Sequence, residues 1–483
     1  VIVGLLGSLA SAQVPDLFGM GARFSGAGGG GIALVDDGSA AYSNPAGLSY
    51  IRRPHAGVGF GVALSRMDPV PGLYWDTNRD GLTNAEDPPL QVDPTPAPAT
   101  GLHIEAGRNI GGKFGLGLTA YVPTNTLILF EMFEPSLPNY VMYDNRLQRF
   151  VAAAGVGGEV LPGVSIGASV DLLASAEVDV VMTVDATLVG PDGNTEQLDD
   201  LVSNITIDTH RLALRVKPAF APIVGIQLHP GEWIPALQGL ALAATYHGSA
   251  GFDVNTDIDL QANVAITDVG DLDPYIAAVV LQSRLAMLDH YVPPRVSFGA
   301  AYSRADTFSV YADGRWTDWR KLVLNVARAE DTTITSPLID IDDNITDGNA
   351  YGILVRPTWA LRAGTELHLP KWTFDTRWRY LRLTARGGVG FEQSPIIGQG
   401  ADTAILDADR TTFTVGAGAE FWDPLDLVDG AVRFDLFFQN HQLARRSLDR
   451  QTDTPRQGYP VSSSQIPIGG NILVFGAQWS FDY

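Results

Sequence analysis

From about His55 onward the chain alternates apolar and polar positions with a period of two. In Leu240–His247, the residues Leu240, Leu242, Ala244 and Tyr246 share one face, while Ala241, Ala243, Thr245 and His247 share the other. Successive side chains of a strand point to opposite faces, so this is a strand with two different environments. The same pattern puts Val296, Phe298, Ala300 and Tyr302 opposite Arg295, Ser297 and Gly299, and Val432, Phe434, Leu436 and Phe438 opposite Arg433, Asp435 and Gln439. Fourteen such segments are predicted, at roughly 55–64, 100–108, 113–122, 147–160, 164–177, 208–228, 239–251, 294–304, 307–316, 356–368, 372–384, 410–422, 431–441 and 471–483. An even number of antiparallel strands suits a closed single-chain barrel.

The connections sort by length. Arg108–Gly112, Leu161–Gly163, Ala305–Asp306 and Leu369–Lys371 read as tight turns, and His229–Gln238 and Asp423–Gly430 as somewhat longer ones. The alternate connections are long: 65–99, 123–146, 178–207, 252–293, 317–355, 385–409 and 442–470. Short periplasmic turns and long extracellular loops mark a barrel of the Gram-negative outer membrane, crossed many times. Lipid cannot hydrogen-bond a backbone, so such a sheet must close. Trp316, Trp372, Trp422 and Trp479, near strand ends, are expected at headgroup level. Arg211, Arg215 and Lys217 share a face, expected to point inward, as are Arg356, Arg362 and Glu366, and Arg377 and Arg379 on the eleventh segment. One helix is expected in a loop: Asp273 as N-cap, Pro274 first, then Tyr275–Leu288. Its apolar circumference suits either a wall of a greasy capture groove or a cap over neighbouring loops.

Composition narrows the choice. The 483 residues include no cysteine, which excludes a disulfide framework and thiolate metal sites. A net charge of −22 excludes a protein that tracks nucleic-acid phosphates. No internal run of about 18 apolar residues supports a transmembrane helix. Residues 1–12, VIVGLLGSLASA, read as the end of a secretory signal peptide, cleaved before Gln13. The charged start of such a peptide is missing, so the chain reads as truncated there. Residues 13–54 are rich in glycine and unlike a membrane strand, and read as a hatch in the lumen; 55–483 is the barrel.

Two motifs invite other chemistry. Gly26–Gly31 matches G-x-G-x-x-G, but the preceding strand and the following acid of a dinucleotide site are absent. Asp76, Asn78, Asp80, Asn84 and Asp87 place oxygens at positions 1, 3, 5, 9 and 12 of a loop, with Leu82 offering a carbonyl at 7 and Gly81 at 6. That spacing predicts a structural calcium site, set against a plain acidic turn. No catalytic arrangement stands out, so neither enzyme chemistry nor an organic cofactor is expected.

The stretch from Gly31, "DDGSAAYSNPAGL", containing Asp36, Asp37, Asn44, Pro45, Ala46, Gly47 and Leu48, resembles the N-terminal signature of the FadL/TodX family of outer-membrane transporters. "GKFGLGLTAYVPTNT" at Gly112–Thr126, "YVPPRVSFGAAYS" at Tyr291–Ser303, "WTDWRKL" at Trp316–Leu322, "LRAGTELHLPKWTF" at Leu361–Phe374 and the terminal "GGNILVFGAQWSFDY" are similar in kind and order. The resemblance implies an all-β fold: a 14-stranded antiparallel transmembrane barrel with the hatch inside. It implies passive uptake of long-chain fatty acids or other hydrophobic molecules, captured outside, bound internally and released sideways beside a kinked third strand. Gly115 and Gly117 lie on that strand and are the lateral-gate candidates, since glycine favours a kink. An acidic substrate needs a cationic partner, for which Arg211, Arg215 and Arg295 are the candidates. The expected partners are a hydrophobic small molecule, the bilayer and lipopolysaccharide, with a monomeric chain. The alternative is a barrel that docks or shuttles secreted proteins; a lipid hydrolase ranks below both.

Overall fold

In the computed structural model, fourteen strands close into a ring. The structure describes residues 17–75, 88–125, 137–144, 150–189, 202–267, 275–304, 307–321, 328–335, 353–374, 379–400, 404–423, 430–451, 460–462 and 465–483. The wall strands are β1 (His55–Met67), β2 (Ala99–Ile110), β3 (Phe114–Pro123), β4 (Val151–Leu161), β5 (Val164–Val189), β6 (Val202–Leu228) and β7 (Leu240–His247). They continue as β8 (Arg295–Arg304), β9 (Phe308–Thr317), β10 (Thr358–His368), β11 (Tyr380–Glu392), β12 (Arg410–Trp422), β13 (Ala431–Gln451) and β14 (Gln465–Asp482). Each pairs antiparallel with the next. β14 returns to β1, from Asp482 opposite His55 to Gly470 opposite Met67, so the ring has no free edge.

The outer face is apolar. Val58, Phe60, Ile104, Leu116, Leu118, Val156, Ile166, Phe298, Phe413, Leu436, Phe475 and Trp479 are all exposed, and their neighbours in sequence point inward. A soluble sheet would cover such a face; here it meets lipid. Among the described residues no helix is long and apolar enough to cross a membrane. The turns Ile110–Phe114 and Leu161–Val164 are tight, with Gly111, Gly112 and Gly163 at positive φ where other residues are strained.

Several expectations need correction. The eleventh strand is not 372–384 but Tyr380–Glu392, and the tight turn at Leu369–Lys371 is instead a longer excursion carrying a short strand, Trp372–Thr373. Arg379 therefore sits in that excursion, at φ 51, with its guanidinium 4.1 Å from the Trp422 ring centre, and does not face the lumen; Arg377 lies outside the described residues. The glycine-rich run at Gly387, Gly388 and Gly390 enters the wall instead, and the N-terminal segment passes against Gly388: a Cβ there would lie 2.5 Å from the Ala27 carbonyl oxygen.

Tyr275–Leu288 is not helical. It belongs to a strand, Tyr275–Val292, paired antiparallel with Ala250–Thr267. An apolar run reads alike as buried helix or strand; the partner strand, which satisfies the backbone, decides. Much of the expected loops 178–207 and 252–293 is likewise strand, and β5 and β6 continue as a hairpin far past Leu173, the last residue of β5 paired with β4. Arg211 and Arg215 stand opposite Val181 and Glu177 on that extension, beyond the level where β4 closes the wall, so they do not line the closed ring. Their side chains lie outside the described residues. The β6–β7 ladder ends at Ile223–His247, beside Pro222, which has no N–H to offer a neighbour.

Residues 17–54 run through the interior of the ring. They contain two short helices, α1 (Ala22–Gly26) and α2 (Ala40–Ser43), and a 3₁₀ turn at Pro45–Tyr50. Leu48, Ala46, Ala40 and Ala41 are fully buried. An apolar cluster of Met20, Phe24, Val35, Tyr42, Leu48 and Ile51 packs on the inner residues Val151, Ala153, Leu173 and Ile223 of the wall. Toward the long-loop end, Leu17 and Phe18 join Met67, Tyr140, Met142, Trp319, Ile405, Leu406 and Ile472 in a second apolar cluster that roofs the barrel.

Candidate functional site

The lumen is where the N-terminal segment meets the wall. Polar residues at the inward positions of the strands hold the segment by its backbone and by side chains such as Arg23 and Tyr42. Gln439 donates to the carbonyls of Phe18 and Ser25, both at 2.7 Å. Gln478 accepts from the Ala22 amide at 2.7 Å, and Thr414 donates to Gly26 O at 3.1 Å. Asp313 accepts from the amides of Gly31 and Ile32, and Tyr311 donates to Ala27 O. On the other side Gln227 donates to Ala33 O at 3.0 Å and Ser169 to Ala41 O at 2.6 Å. A segment with little regular structure leaves many backbone groups open, and buried ones must find partners; the wall supplies them.

The charged inner residues pair with one another. Arg23 makes two 2.9 Å hydrogen bonds to Glu366, and its third nitrogen reaches Asp36 at 2.6 Å. Glu366 also accepts from Arg386 at 2.8 Å, and Arg386 continues to Asp435 at 2.5 Å. At the short-turn end His55 lies between Asp482 at 2.7 Å and Glu105 at 2.8 Å, tying β1, β2 and β14 together.

The motif residues have distinct tasks. Asn44 caps the 3₁₀ turn by accepting from the Ala46 amide at 3.2 Å, and donates to Ile32 O at 2.9 Å, folding the segment back on itself. Pro45 and Leu48 enter a trough of glycines: a Cβ on Gly157 or Gly167 would lie 2.2 Å from backbone atoms of Pro45, and one on Gly115 would lie 1.9 Å from Leu48 O. A Cβ on Gly117 would lie 2.3 Å from the Leu48 Cδ2. One on Gly47 would lie 2.3 Å from Val35 O. Asp37 is buried and accepts from the Ser39 amide at 3.0 Å. Burial first, then the nearby Glu105 carboxylate, push the Asp37 carboxyl up to about 6, with His55 opposing. Asp36, by contrast, is half exposed. The β3 ladders to β2 and β4 run through Gly115 and Gly117 without a register shift, and Gly115 leaves room for the Leu48 backbone.

Two cavities flank Gly19 and Met20. The first, about 60 Å³, is apolar and lies among Phe18, Ala63, Ala99, Tyr121, Phe437 and Val474, with Ser25, His103 and Gln478 among its polar members. The second, also about 60 Å³, is polar and cationic, with Arg295, Arg315, Arg362 and His247 facing Asp313. Arg295 is buried and donates to Tyr42 OH at 2.8 Å, with His247 Nδ1 at 2.7 Å. Of the three candidate arginines it is the one that the structure places in the lumen.

The profile of one family, described as outer membrane protein transport protein (OMPP1/FadL/TodX), matches residues 9–368, more than half of the chain. The chain belongs to this family. It is a transport protein of the outer membrane and not an enzyme. No curated protein matches it by sequence. Among solved structures it is similar to a Pseudomonas aeruginosa FadL homologue, 16% identical, covering 99% of this chain and 100% of that one, with a TM-score of 0.58. The P. putida toluene transporter TodX is 13% identical over 97% and 99% of the two chains, at a TM-score of 0.49. The likeness to the FadL homologue, at that identity, speaks for the fold alone, and the 14-strand ring is that fold.

In this FadL/TodX-family barrel the sequence pointed to the hatch motif and to inward charges in general. It did not single out Gln439, Gln478, Asp313 and Tyr311 as anchors of the segment. Their signal was a polar or amphipathic residue at an inward position in mid-strand. The loop Asp76–Asp87, with Asp76, Asn78, Asp80, Leu82, Asn84 and Asp87, lies outside the described residues. Among the described residues no group of three His, Asp or Glu is placed to hold a metal ion.

Proposed function

We propose that this protein takes up hydrophobic small molecules passively, by capture at the loop end, binding beside the N-terminal segment and sideways release, with that segment as the hatch. The observation that carries the reading is the apolar cavity between Phe18–Ala22 and the wall. Its volume of about 60 Å³ is well short of the roughly 150 Å³ in which a benzene-sized guest fits. A ligand therefore needs the segment to shift, which couples binding to the hatch. The roof of Leu17, Phe18, Tyr140, Met142, Trp319 and Leu406 supplies apolar surface on the way in. Gly115 and Gly117 remain the release point that the family resemblance suggests.

The two cavities share Gly19 and Met20. Displacing that pair would join an apolar chamber to a cationic one, which suits an amphiphile with an acidic head near Arg295, Arg315 and Arg362. An unpaired carboxylate is costly in such a place, and a guanidinium offsets that cost. The test is calorimetry in detergent with dodecanoate and with naphthalene, on the parent and on Arg295→Ala. Binding of both by the parent, with dodecanoate alone weakened in the variant, is expected. Binding of neither ligand by the parent would overturn the uptake reading; equal loss of both would overturn the head-group assignment. Arg211 and Arg215 serve as comparison variants.

A further inference from the structure

The apolar cavity borders the third strand at a single side chain. Its lining comes from the N-terminal segment, from β1, β2, β13 and β14, and from β3 by Tyr121 alone. On β3 the alternate residues Gly115, Gly117, Thr119 and Tyr121 face inward, in that order from the short-turn end toward the loop end. Side-chain size therefore rises along the strand. The two glycines leave room for Leu48. Thr119 is fully buried, and its hydroxyl lies 2.9 Å from His103 Nε2. Tyr121 stands at the level of the cavity.

The Tyr121 ring lies across β2. A Cβ on Gly101 would lie 2.5 Å from Tyr121 Cε2, and nearer still to its Cζ and hydroxyl oxygen. Only a residue without a side chain leaves the ring that place. The ring packs against the roof cluster, which holds Leu17, Phe18 and Tyr140, and also against the cluster that holds Leu48, Val151 and Ala153. Among the described residues it is the one that packs against both.

The inner face beyond the ring differs on its two sides. Toward β2 it is polar: His103 stands opposite Tyr121, and Glu105 opposite Thr119. Toward β4 it is apolar, with side chains that shrink toward the release point: Val151 opposite Tyr121, Ala153 opposite Thr119 and Gly155 opposite Gly117. A hydrophobic molecule is favoured on the β4 side, because pressing it on buried His103 and Glu105 gives those groups no hydrogen bond in return. The cavity lies on the β1–β2 side of the ring. To reach the apolar face of β3 and β4, its occupant must pass Tyr121.

We infer that Tyr121 is the specificity-determining residue of this transporter: its ring sets the size of molecule that moves from the apolar cavity to the third strand. The assignment rests on the uptake reading and its sideways release. Uptake of radiolabelled dodecanoate and of a pyrene-bearing fatty acid is followed in cells whose outer membrane carries the parent or a variant. Heat-shifted migration on a gel checks that each barrel is folded. Tyr121→Ala should raise the uptake of the pyrene-bearing acid relative to dodecanoate by about tenfold, the scale on which an apolar pocket discriminates by size. Tyr121→Trp should lower that ratio, and Tyr121→Phe should leave it at the parent's value. If the Ala variant fails to fold, the Trp and Phe variants carry the test. Uptake by the parent with the same ratio in the Ala and Trp variants overturns the assignment alone. A ratio in Tyr121→Phe that matches Tyr121→Ala assigns the effect to the hydroxyl and overturns the size role. No uptake by the parent above cells without the protein overturns the uptake reading, and the assignment with it. Gly101→Ala gives an independent check, since its methyl group would push the ring from its place on β2. It should lower dodecanoate uptake in the parent and leave it unchanged in the Tyr121→Ala chain, because its effect runs through the ring. An equal loss in both chains would overturn that placement.

Discussion

Arg23 of the N-terminal segment grips Glu366 of β10 through two parallel hydrogen bonds of 2.9 Å, from Nε and Nη2. Such a fork is stronger than a single contact and fixes orientation as well as distance. Glu366 is almost fully buried and is held from its other side by Arg386. Removing Arg23 therefore leaves Glu366 partly neutralised but takes from the segment its one ion pair to the wall among the described residues. Arg23→Ala is expected to weaken seating of the segment by about 3 kcal/mol, and to raise the leak of small sugars in liposome swelling. Arg23→Lys should fall between, since an ammonium cannot fork. A leak equal to the parent's in both variants would mean that the backbone anchors suffice.

Gly115→Ala should displace Leu48, because the new methyl group would lie 1.9 Å from the Leu48 carbonyl oxygen. The expected result is an N-terminal segment open to added protease in an otherwise folded barrel. Gly314→Ala is the matched control, as the nearest atom to its Cβ would be a Leu361 methyl at 3.6 Å. If both variants protect the segment equally, the close packing at β3 does not hold it.

Seating of the segment should depend on pH through Asp37. Its carboxyl titrates near 6 when buried, against an ordinary value of 3.8, so the folded state favours the protonated form. The contribution is full below the ordinary value, declines as pH rises from about 4 to about 6, and is lost above that. Protease protection of residues 17–54 should therefore be stronger at pH 5 than at pH 7. The groups that bear on Asp37 are Glu105, His55, Asp36 and Arg23. Asp37→Asn should flatten the profile at the high-protection level. A profile that keeps its slope in this variant removes Asp37 from the effect.

Calcium is proposed to order the loop that contains Asp76–Asp87. The parent should show calcium-dependent protection of that loop from protease, and the Asp76→Ala, Asp80→Ala double variant should lose it while the barrel stays intact. Equal cleavage of the parent with calcium and with chelator would refute the site.

The sequence alone determined the number of strands, most of their positions and the sorting of short and long connections. These are local: a period of two, a glycine at a turn or a run of apolar residues is readable without knowing what lies across the sheet. Tyr275–Leu288 failed for the same reason in reverse, since its apolar run carries no period that separates helix from strand, and only the partner strand Ala250–Thr267 settles it. Tertiary structure alone decided the position of the eleventh strand, where Gly388 stands in the wall in place of Trp372 and Phe374 and leaves room for Ala27. It also decided which inward polar residues matter. Glu366 meets Arg23 across 343 positions of sequence, and Gln439 meets Phe18 across 421. Such pairs exist only once the ring has closed around the segment, and no local pattern encodes the distance between two points on opposite sides of a barrel.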